Sequence, residues 1–152
     1  MAAPVGSPAP AFTLKDQDRN DVSLADFVGK KTLVVFIPFP FSSICEAELC
    51  SVRDNLGRLA ELDANVVVIT CNTIHVHKKW AEEQGFTFPV LSDYWPHGAV
   101  AQAYGCFDEN VGAAKRATFV LDGAGVVRDV IATGALTEPR DFESYTAALA
   151  KI

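Results

Sequence analysis

The sequence predicts an α/β protein with a central mixed β-sheet flanked by helices. Two uninterrupted apolar runs, 33–37 and 66–70, have the length and the β-branched composition of buried strands. Between them, apolar residues recur at helical spacing, and a strand–helix–strand order implies a right-handed parallel crossover. Near the carboxyl end, two strand-like runs flank a turn rich in glycine, which predicts an antiparallel pair.

The composition favours a soluble protein with one domain, which spans residues 1–152. Hydrophobic residues make up 49% of the chain and charged residues 21%, as in ordinary globular proteins. The net charge of −6 argues against nucleic acid and anionic membranes as partners. We find neither a secretory signal nor an apolar run of the ~20 residues that a membrane span requires. Four cysteines are too few for a disulfide scaffold, so we expect a cytoplasmic protein with functional thiols.

The first half of the chain predicts a hairpin, a strand, a helix and a second strand. Residues 11–14 and 22–24 flank a polar run, which favours a small N-terminal β-hairpin. The run 33–37 is the first core strand. A helix from about residue 43 to 62 follows, because its apolar residues return every three or four positions. The second core strand is 66–70.

The middle of the chain predicts two helices separated by a short strand. Residues 75–84 have helical periodicity, and Gly85 follows them at a position where helices commonly end. Residues 86–91 predict a short strand, and 99–104 a short helix, with an aromatic loop between them.

The last part of the chain predicts a β-hairpin and a helix. Strands at 117–121 and 126–131 are joined through Asp-Gly-Ala-Gly, and a helix covers about 139–150. The complete order is that of a thioredoxin-like fold with an N-terminal β-hairpin extension.

The segment after the first core strand places a cysteine at the start of a helix. Cys45 lies four residues before Leu49 and therefore on the inward apolar stripe of that helix. Ser42 or Ser43 is the candidate N-cap. Free N–H groups and partial positive charge at a helix N-terminus favour the thiolate form of cysteine. The sequence therefore predicts a nucleophilic sulfur at position 45.

Two segments resemble those of the peroxiredoxins. The pattern Pro38-x-x-x-Ser42-x-x-Cys45 resembles the peroxiredoxin active-site motif, which has threonine or serine at the hydroxyl position. Residues 86–100 and 102–105 are similar to the one-cysteine peroxiredoxins of actinobacteria, the alkyl hydroperoxide reductase E type. The resemblance to that subfamily extends over nearly the whole chain.

The resemblance implies a thiol peroxidase that reduces hydrogen peroxide and organic hydroperoxides. Cys45 would be the peroxidatic nucleophile and would become a sulfenic acid. Ser42 would hold the thiolate and the incoming peroxide by hydrogen bonds, and Pro38 would shield the pocket from water. Arg116 would activate the sulfur, and Glu48 would orient that arginine. Judged by residue type alone, Arg116 and Glu48 could equally be solvated surface charges.

Cys50 departs from the one-cysteine subfamily. The bacterioferritin comigratory protein, or Q-type, branch often has its resolving cysteine at this spacing, which implies a disulfide between Cys45 and Cys50. The alternative is resolution by an external thiol or redoxin. Five residues along a helix rise ~7.5 Å and turn ~140°, whereas a disulfide requires Cα atoms within ~6.8 Å. The bridge would therefore require the first helical turns to unwind.

The resemblance also implies partners. We expect a peroxide substrate, a homodimer and a reductant such as a thioredoxin, a glutaredoxin-like redoxin or a low-molecular-weight thiol. The residues expected to contribute to the dimer contact are Pro40, Phe41, Trp80 and Tyr94. We expect Cys71 and Cys106 to be buried structural thiols.

Other function classes fit the sequence less well. A disulfide oxidoreductase normally carries Cys-x-x-Cys, whereas Glu48 follows Cys45 at that spacing. Zinc ligand spacing and a glycine-rich phosphate loop are missing, so we expect no metal and no cofactor. His75 and His77 are expected at the surface. The alternative to an enzyme is a peroxide-reactive redox sensor, or a thiol-dependent binding module, that uses the same Cys45.

Overall fold

The computed structural model describes residues 3–152, which are organised around one seven-stranded mixed sheet. The strands are β1 (Thr13–Lys15), β2 (Asp21–Ser23), β3 (Lys31–Phe36), β4 (Ala64–Thr70), β5 (Val90–Ser92), β6 (Phe107–Asp108), β7 (Ala113–Ala114), β8 (Ala117–Leu121) and β9 (Val127–Ala132). The helices are α1 (Ser43–Asp54), α2 (Leu56–Glu61), α3 (Ile74–Gln84), α4 (Ala99–Ala103) and α5 (Phe142–Leu149), and Leu24–Phe27 form a 3-10 turn. No helix among the described residues is long and apolar enough to cross a bilayer.

The strand order in the sheet is β2-β1-β5-β4-β3-β8-β9. Strands β3, β4 and β5 are parallel to one another, whereas β8 is antiparallel to β3 and to β9. This arrangement confirms the predicted central mixed sheet and the parallel crossover. The N-terminal hairpin is also confirmed, and β1 pairs with β5, so the hairpin extends one edge of the sheet.

Helices cover both faces of the sheet and create two hydrophobic cores. Side chains alternate along a strand, so β3 contributes Leu33 and Val35 to one core and Val34 and Phe36 to the other. The first core also receives side chains from α1, α2, α3 and α5, whereas the second receives side chains from α4. Each fully buried aliphatic side chain contributes roughly 1.5–3 kcal/mol. The first core holds α1 against the carboxyl end of β3.

The predicted single helix from residue 43 to 62 is wrong, because the structure contains two helices there. Helix α1 ends at Asp54 and α2 begins at Leu56, with Asn55 (φ −121°, ψ 19°) between them. The side-chain amide of Asn55 donates a hydrogen bond to the carbonyl of Ser51 at 2.7 Å. Such local bonds let asparagine compete with the helical backbone. The apolar spacing continues across the break, so periodicity alone did not indicate it.

The predicted strand at 86–91 is wrong in its first part. Strand β5 begins only at Val90, whereas Phe86 and Phe88 are buried and stack with ring centroids 5.2 Å apart. A short apolar run does not distinguish a strand from a loop that fills the core. Gly85 adopts a left-handed conformation (φ 71°) and ends α3 as predicted.

The last helix begins later than the predicted residue 139. Helix α5 starts at Phe142, and its N-cap Asp141 accepts a hydrogen bond from the Glu143 amide at 3.1 Å. Arg140 therefore lies in the loop before the helix, where its side chain is buried. The strands β6 and β7 were not predicted, because two residues are too few to show alternation.

Candidate active site

Cys45 lies in the first turn of α1, at the carboxyl end of β3. Ser42 is the N-cap and has an extended backbone (φ −70°, ψ 147°), and its hydroxyl accepts a hydrogen bond from the Cys45 amide at 3.4 Å. This resolves the choice between Ser42 and Ser43. Phe41 has a positive φ of 69°, a strained conformation for a residue with a side chain, where the chain turns into the helix. The Cys45 side chain is completely buried in the first core.

Glu48 lies one helical turn after Cys45 and is buried between two arginines. Its Oε1 accepts a hydrogen bond from Nη1 of Arg116 at 2.5 Å. Arg140 donates from Nε to Oε2 at 2.9 Å and from Nη2 to Oε1 at 3.0 Å, and its backbone amide donates to Oε2 at 2.7 Å. These contacts exclude the alternative that Glu48 and Arg116 are solvated surface charges.

The charges of this cluster favour an ionised Glu48. Burial alone would raise the pKa of Glu48, but the hydrogen bonds and charge of Arg140, together with the charge of Arg116, lower it below its usual value. One carboxylate between two guanidinium groups leaves a formal excess of one positive charge beside the start of α1. A buried excess charge of this kind is favourable only near a compensating negative group.

Arg116 is fixed from two sides. Its Nε donates to the carbonyl of Leu136, and its Nη1 donates to Glu48. The residue directly precedes β8, so a core strand sets the position of its backbone. Within residues 3–152, Nη2 of Arg116 has no hydrogen-bond partner, so this N–H group is available to a ligand.

Arg140 is the functional residue that the sequence analysis missed. Its Nη1 also donates to the Thr118 hydroxyl at 3.1 Å. Burial alone would lower the pKa of Arg140, but its hydrogen bonds to Glu48 and the negative charge of that carboxylate raise it. No local sequence motif identifies Arg140. Its role could have been inferred only from the fact that a buried glutamate needs more than one hydrogen-bond partner.

The loop before α1 contains Pro38 and two aromatic side chains. Pro38 is buried directly after β3, whereas Phe39 and Phe41 are 40% and 44% exposed. The ring of Phe41 lies 5.8 Å from that of Trp80, measured between centroids. The loop that leads into α1 therefore presents apolar side chains to solvent.

Cys50 is not brought together with Cys45. Both are free thiols in an intact α1, so the geometric objection to a direct bridge applies to this conformation. The Cys50 thiol donates to Oε1 of Gln84 at 3.6 Å. Burial raises the pKa of Cys50 against the opposing charge of Arg53.

Two expectations about individual side chains are wrong. His77 is completely buried, and its Nε2 lies 2.5 Å from the Thr70 hydroxyl. It shares the inner face of α3 with Trp80, three residues further on, whereas His75 is exposed as expected. Trp80 is also completely buried, so it cannot be a dimer contact. Tyr94 is 50% exposed and remains available for one.

Comparisons with known proteins identify the family of this chain. The sequence profile of the AhpC/TSA family matches residues 5–130. The chain is 45% identical over 151 residues to alkyl hydroperoxide reductase E of Mycobacterium tuberculosis. The alignment covers 97% of each chain. Its structure is similar to that of AhpC from Enterococcus faecalis, with a TM-score of 0.89 and 28% identity over 99% of this chain and 92% of that one.

A second solved structure is almost as similar. The peroxidoxin BcpB of Mycobacterium tuberculosis superimposes with a TM-score of 0.86 and 28% identity over 97% of both chains. These matches confirm the predicted thioredoxin-like fold and the resemblance on which the predicted activity depended. The chain belongs to the AhpC/TSA family of peroxiredoxins and is a thiol-dependent peroxidase.

Proposed function

We propose that Cys45 is the peroxidatic residue of this enzyme and that it reduces hydrogen peroxide and organic hydroperoxides. The observation that carries the proposal is the buried cluster of Glu48, Arg116 and Arg140 beside the first turn of α1. The cluster has an excess positive charge, and a thiolate at Cys45 supplies the compensating negative charge. The seven strands of the central sheet come from residues 13 to 132. Because one sheet includes most of the chain, we treat the chain as one catalytic domain.

The reaction transfers negative charge from sulfur to oxygen. The Cys45 thiolate attacks one peroxide oxygen, the O–O bond breaks, and the leaving alkoxide or hydroxide takes up a proton. Sulfur is oxidised by two electrons to a sulfenic acid, and the peroxide is reduced to an alcohol or water. N–H and O–H donors aimed at the leaving oxygen stabilise this charge more than they stabilise the reactants.

Two groups of this chain are suited to that task. Nη2 of Arg116 is available to a ligand, and the Ser42 hydroxyl, which accepts the Cys45 amide, can donate its own hydrogen. Complete ionisation of a thiol that is a few per cent thiolate increases its rate by only about tenfold to thirtyfold. The donors therefore have to provide most of the acceleration.

Glu48 and Arg140 act through other residues. Glu48 orients Arg116, and Arg140 holds Glu48 with three hydrogen bonds. Pro38 is buried between β3 and the helix start, where it limits the access of water to the sulfur. Burial and fixed donors together provide the preorganised environment that charge stabilisation requires.

The test of the nucleophile is the substitution Cys45→Ser, with Cys106→Ala as a control at another buried cysteine. We expect Cys45→Ser to abolish peroxide consumption in stopped-flow measurements and Cys106→Ala to retain it. Repeated turnover with a recycling thiol distinguishes an enzyme from a sensor that reacts once. Full activity of the Cys45→Ser protein would refute the assignment.

We also propose that Cys50 resolves the sulfenic acid by forming a bridge with Cys45, which a thioredoxin, a glutaredoxin-like redoxin or a low-molecular-weight thiol then reduces. The support is the spacing along α1 and the partial exposure of Cys50. Non-reducing mass spectrometry after one equivalent of peroxide tests it. A sulfenic acid that persists until external thiol is added would show external resolution instead.

A homodimer in the cytoplasm is the state that we propose for the enzyme. Four free cysteines suit a reducing compartment. Phe41, Tyr94 and Trp95 are 44%, 50% and 82% exposed, and exposed aromatic side chains are typical of interfaces. Sedimentation of the protein and of Trp95→Glu tests this. A monomeric parent protein, or a dimer that Trp95→Glu does not weaken, would contradict the proposed interface.

A further inference from the structure

Helices α1 and α3 are joined by a row of polar contacts that includes Cys50. Glu46, Cys50 and Arg53 follow the spacing of one helix face. Glu46 accepts a hydrogen bond from the Trp80 indole at 3.0 Å, and Arg53 donates from Nη1 to the Gln84 carbonyl at 2.6 Å. The bond from Cys50 to the Gln84 side chain lies between these two. We name these five residues the α1–α3 seam.

Trp80 anchors the amino end of the seam. Its side chain is completely buried and lies at right angles to the ring of Phe86, with centroids 5.2 Å apart, and against Phe41. A buried indole N–H requires a hydrogen-bond partner. Glu46 is the residue directly after Cys45, so the bond ties the first turn of α1 to a rigid aromatic group. Unwinding of this turn leaves the indole N–H without its acceptor.

The carboxyl end of the seam keeps the rest of α1 in place. Arg53 binds the last carbonyl of α3, where cations stabilise a helix end. Cys50 donates its hydrogen to Gln84, so it is a protonated thiol in this arrangement and a weak nucleophile. The part of α1 after Cys50 is therefore held against α3. The part before Cys50 has to unwind before the Cys45 and Cys50 sulfurs can meet.

We propose that Glu46 and Trp80 form a latch that sets the rate at which Cys50 reaches the Cys45 sulfenic acid. This inference rests on the proposed resolving role of Cys50. In that step the Cys50 sulfur attacks the Cys45 sulfur, an S–S bond forms and the S–O bond breaks. The hydroxyl group and the Cys50 proton leave as water, and the peroxide already consumed is the oxidant.

The latch acts on one step of the cycle and leaves the other unchanged. Sulfenic acid formation takes place with α1 intact, so the Glu46–Trp80 bond is present before and after that step. Bridge formation requires the bond to break. Removal of the latch therefore accelerates bridge formation and decreases the fraction of Cys45 that excess peroxide oxidises further to the sulfinic acid.

The test compares the two rates in Glu46→Ala, Trp80→Phe and Glu46→Gln. The first removes the acceptor, the second removes the donor but keeps an aromatic ring, and the third keeps an acceptor oxygen. We expect bridge formation, followed by quenched flow and mass spectrometry, to be about tenfold faster in the first two. This equals about 1.4 kcal/mol, near the lower end for a hydrogen bond to a charged group. Glu46→Gln keeps an acceptor but loses the charge, so its rate should lie between those of the parent and of Glu46→Ala.

Glu143→Ala is the matched control. It removes the ion pair between Arg58 of α2 and Glu143 of α5, with N–O distances of 2.8 Å, and leaves the seam unchanged. We expect unchanged rates of both steps in this variant. In all four variants the rate of sulfenic acid formation should stay within twofold of the parent rate.

The possible results test the latch and the resolving role of Cys50 separately. A parent protein that forms no bridge refutes the resolving role and the latch with it. A bridge that forms at equal rates in the parent, Glu46→Ala and Trp80→Phe proteins refutes the latch alone. Equal acceleration by Glu143→Ala would also refute it, because the effect would then follow general loss of stability.

Discussion

Two buried regions on opposite faces of the sheet contain cysteines, and the structural settings of their thiols differ. Cys45 lies in the first turn of α1 in the first core, three residues before Glu48 and its two arginine partners, whereas Cys71 and Cys106 lie in the second core near Asp93. Burial raises the pKa of Cys71 and of Cys106 to about 12 each, and the negative charge of Asp93 adds to the effect. The comparison teaches that burial by itself suppresses a thiol, and that a position in the first turn of a helix is what distinguishes Cys45.

The largest expected effect is the selectivity of oxidation. At pH 7 a thiol with a pKa of about 12 is ionised in about one molecule in 10⁵, so peroxide should leave Cys71 and Cys106 reduced. Peptide mass spectrometry after one equivalent of peroxide, with thiols trapped under denaturing conditions, measures this. Oxidation of Cys71 or Cys106 to the same extent as Cys45 would break the comparison.

The next effect is that of the positive charge. We expect Arg116→Ala to slow sulfenic acid formation by at least ~10²-fold, the usual cost of a lost charge-stabilising donor. Stopped-flow measurement of the first turnover provides the rate. Arg128→Ala is the control, because Arg128 is an exposed arginine that pairs with Asp122 at 3.2 Å. A loss below threefold in Arg116→Ala would remove Arg116 from the mechanism.

His77 extends the comparison of the buried thiols to a buried imidazole that has no charged partner. Burial lowers the pKa of His77 to about 4, against a smaller effect of the Val90 backbone, whereas an unfolded histidine titrates near pH ~6.5. The unfolded chain therefore binds a proton that the folded one does not, and stability falls as the pH falls from 6.5 to 4. Between about pH 7 and about pH 4.5 the loss is about 2 kcal/mol.

The variant that tests this is His77→Gln, which keeps a polar group near Thr70 but does not titrate. Urea unfolding at the two pH values gives the free energy of unfolding for each protein. We expect the loss of stability on acidification to be smaller in the variant by about 2 kcal/mol. Equal losses in the two proteins would show that other groups cause the acid sensitivity.

The smallest effect is expected at the helix cap. Ser42→Ala removes the hydroxyl that accepts the Cys45 amide and should destabilise the protein by ~1 kcal/mol. Ser42→Thr keeps the hydroxyl and should retain both stability and rate. If Ser42→Ala matches the parent protein in unfolding and in the rate of sulfenic acid formation, Ser42 contributes to neither.

Local patterns in the sequence predicted the part of the site that lies within one element. A strand that ends before Pro38, a cap at Ser42 and an apolar stripe from Cys45 can each be recognised over a few residues. The same holds for the left-handed Gly85 at the end of α3. These features depend on interactions between near neighbours in the chain, which residue order specifies directly.

Other features became visible only when distant segments met. Arg140 lies 92 residues from Glu48, and no pattern connects the two. The burial of His77 and of Trp80 depends on which face of α3 packs against the sheet, and both were expected at the surface or at an interface.

The sequence by itself determined the α/β order, the position of Cys45 at a helix start and, through its resemblance to the peroxiredoxins, the kind of chemistry. The tertiary structure decided which charges surround each thiol, and that Cys50 is bonded to α3 rather than to Cys45. The physical reason is that secondary structure follows from short-range periodicity and capping, whereas electrostatic environment depends on groups brought together through space.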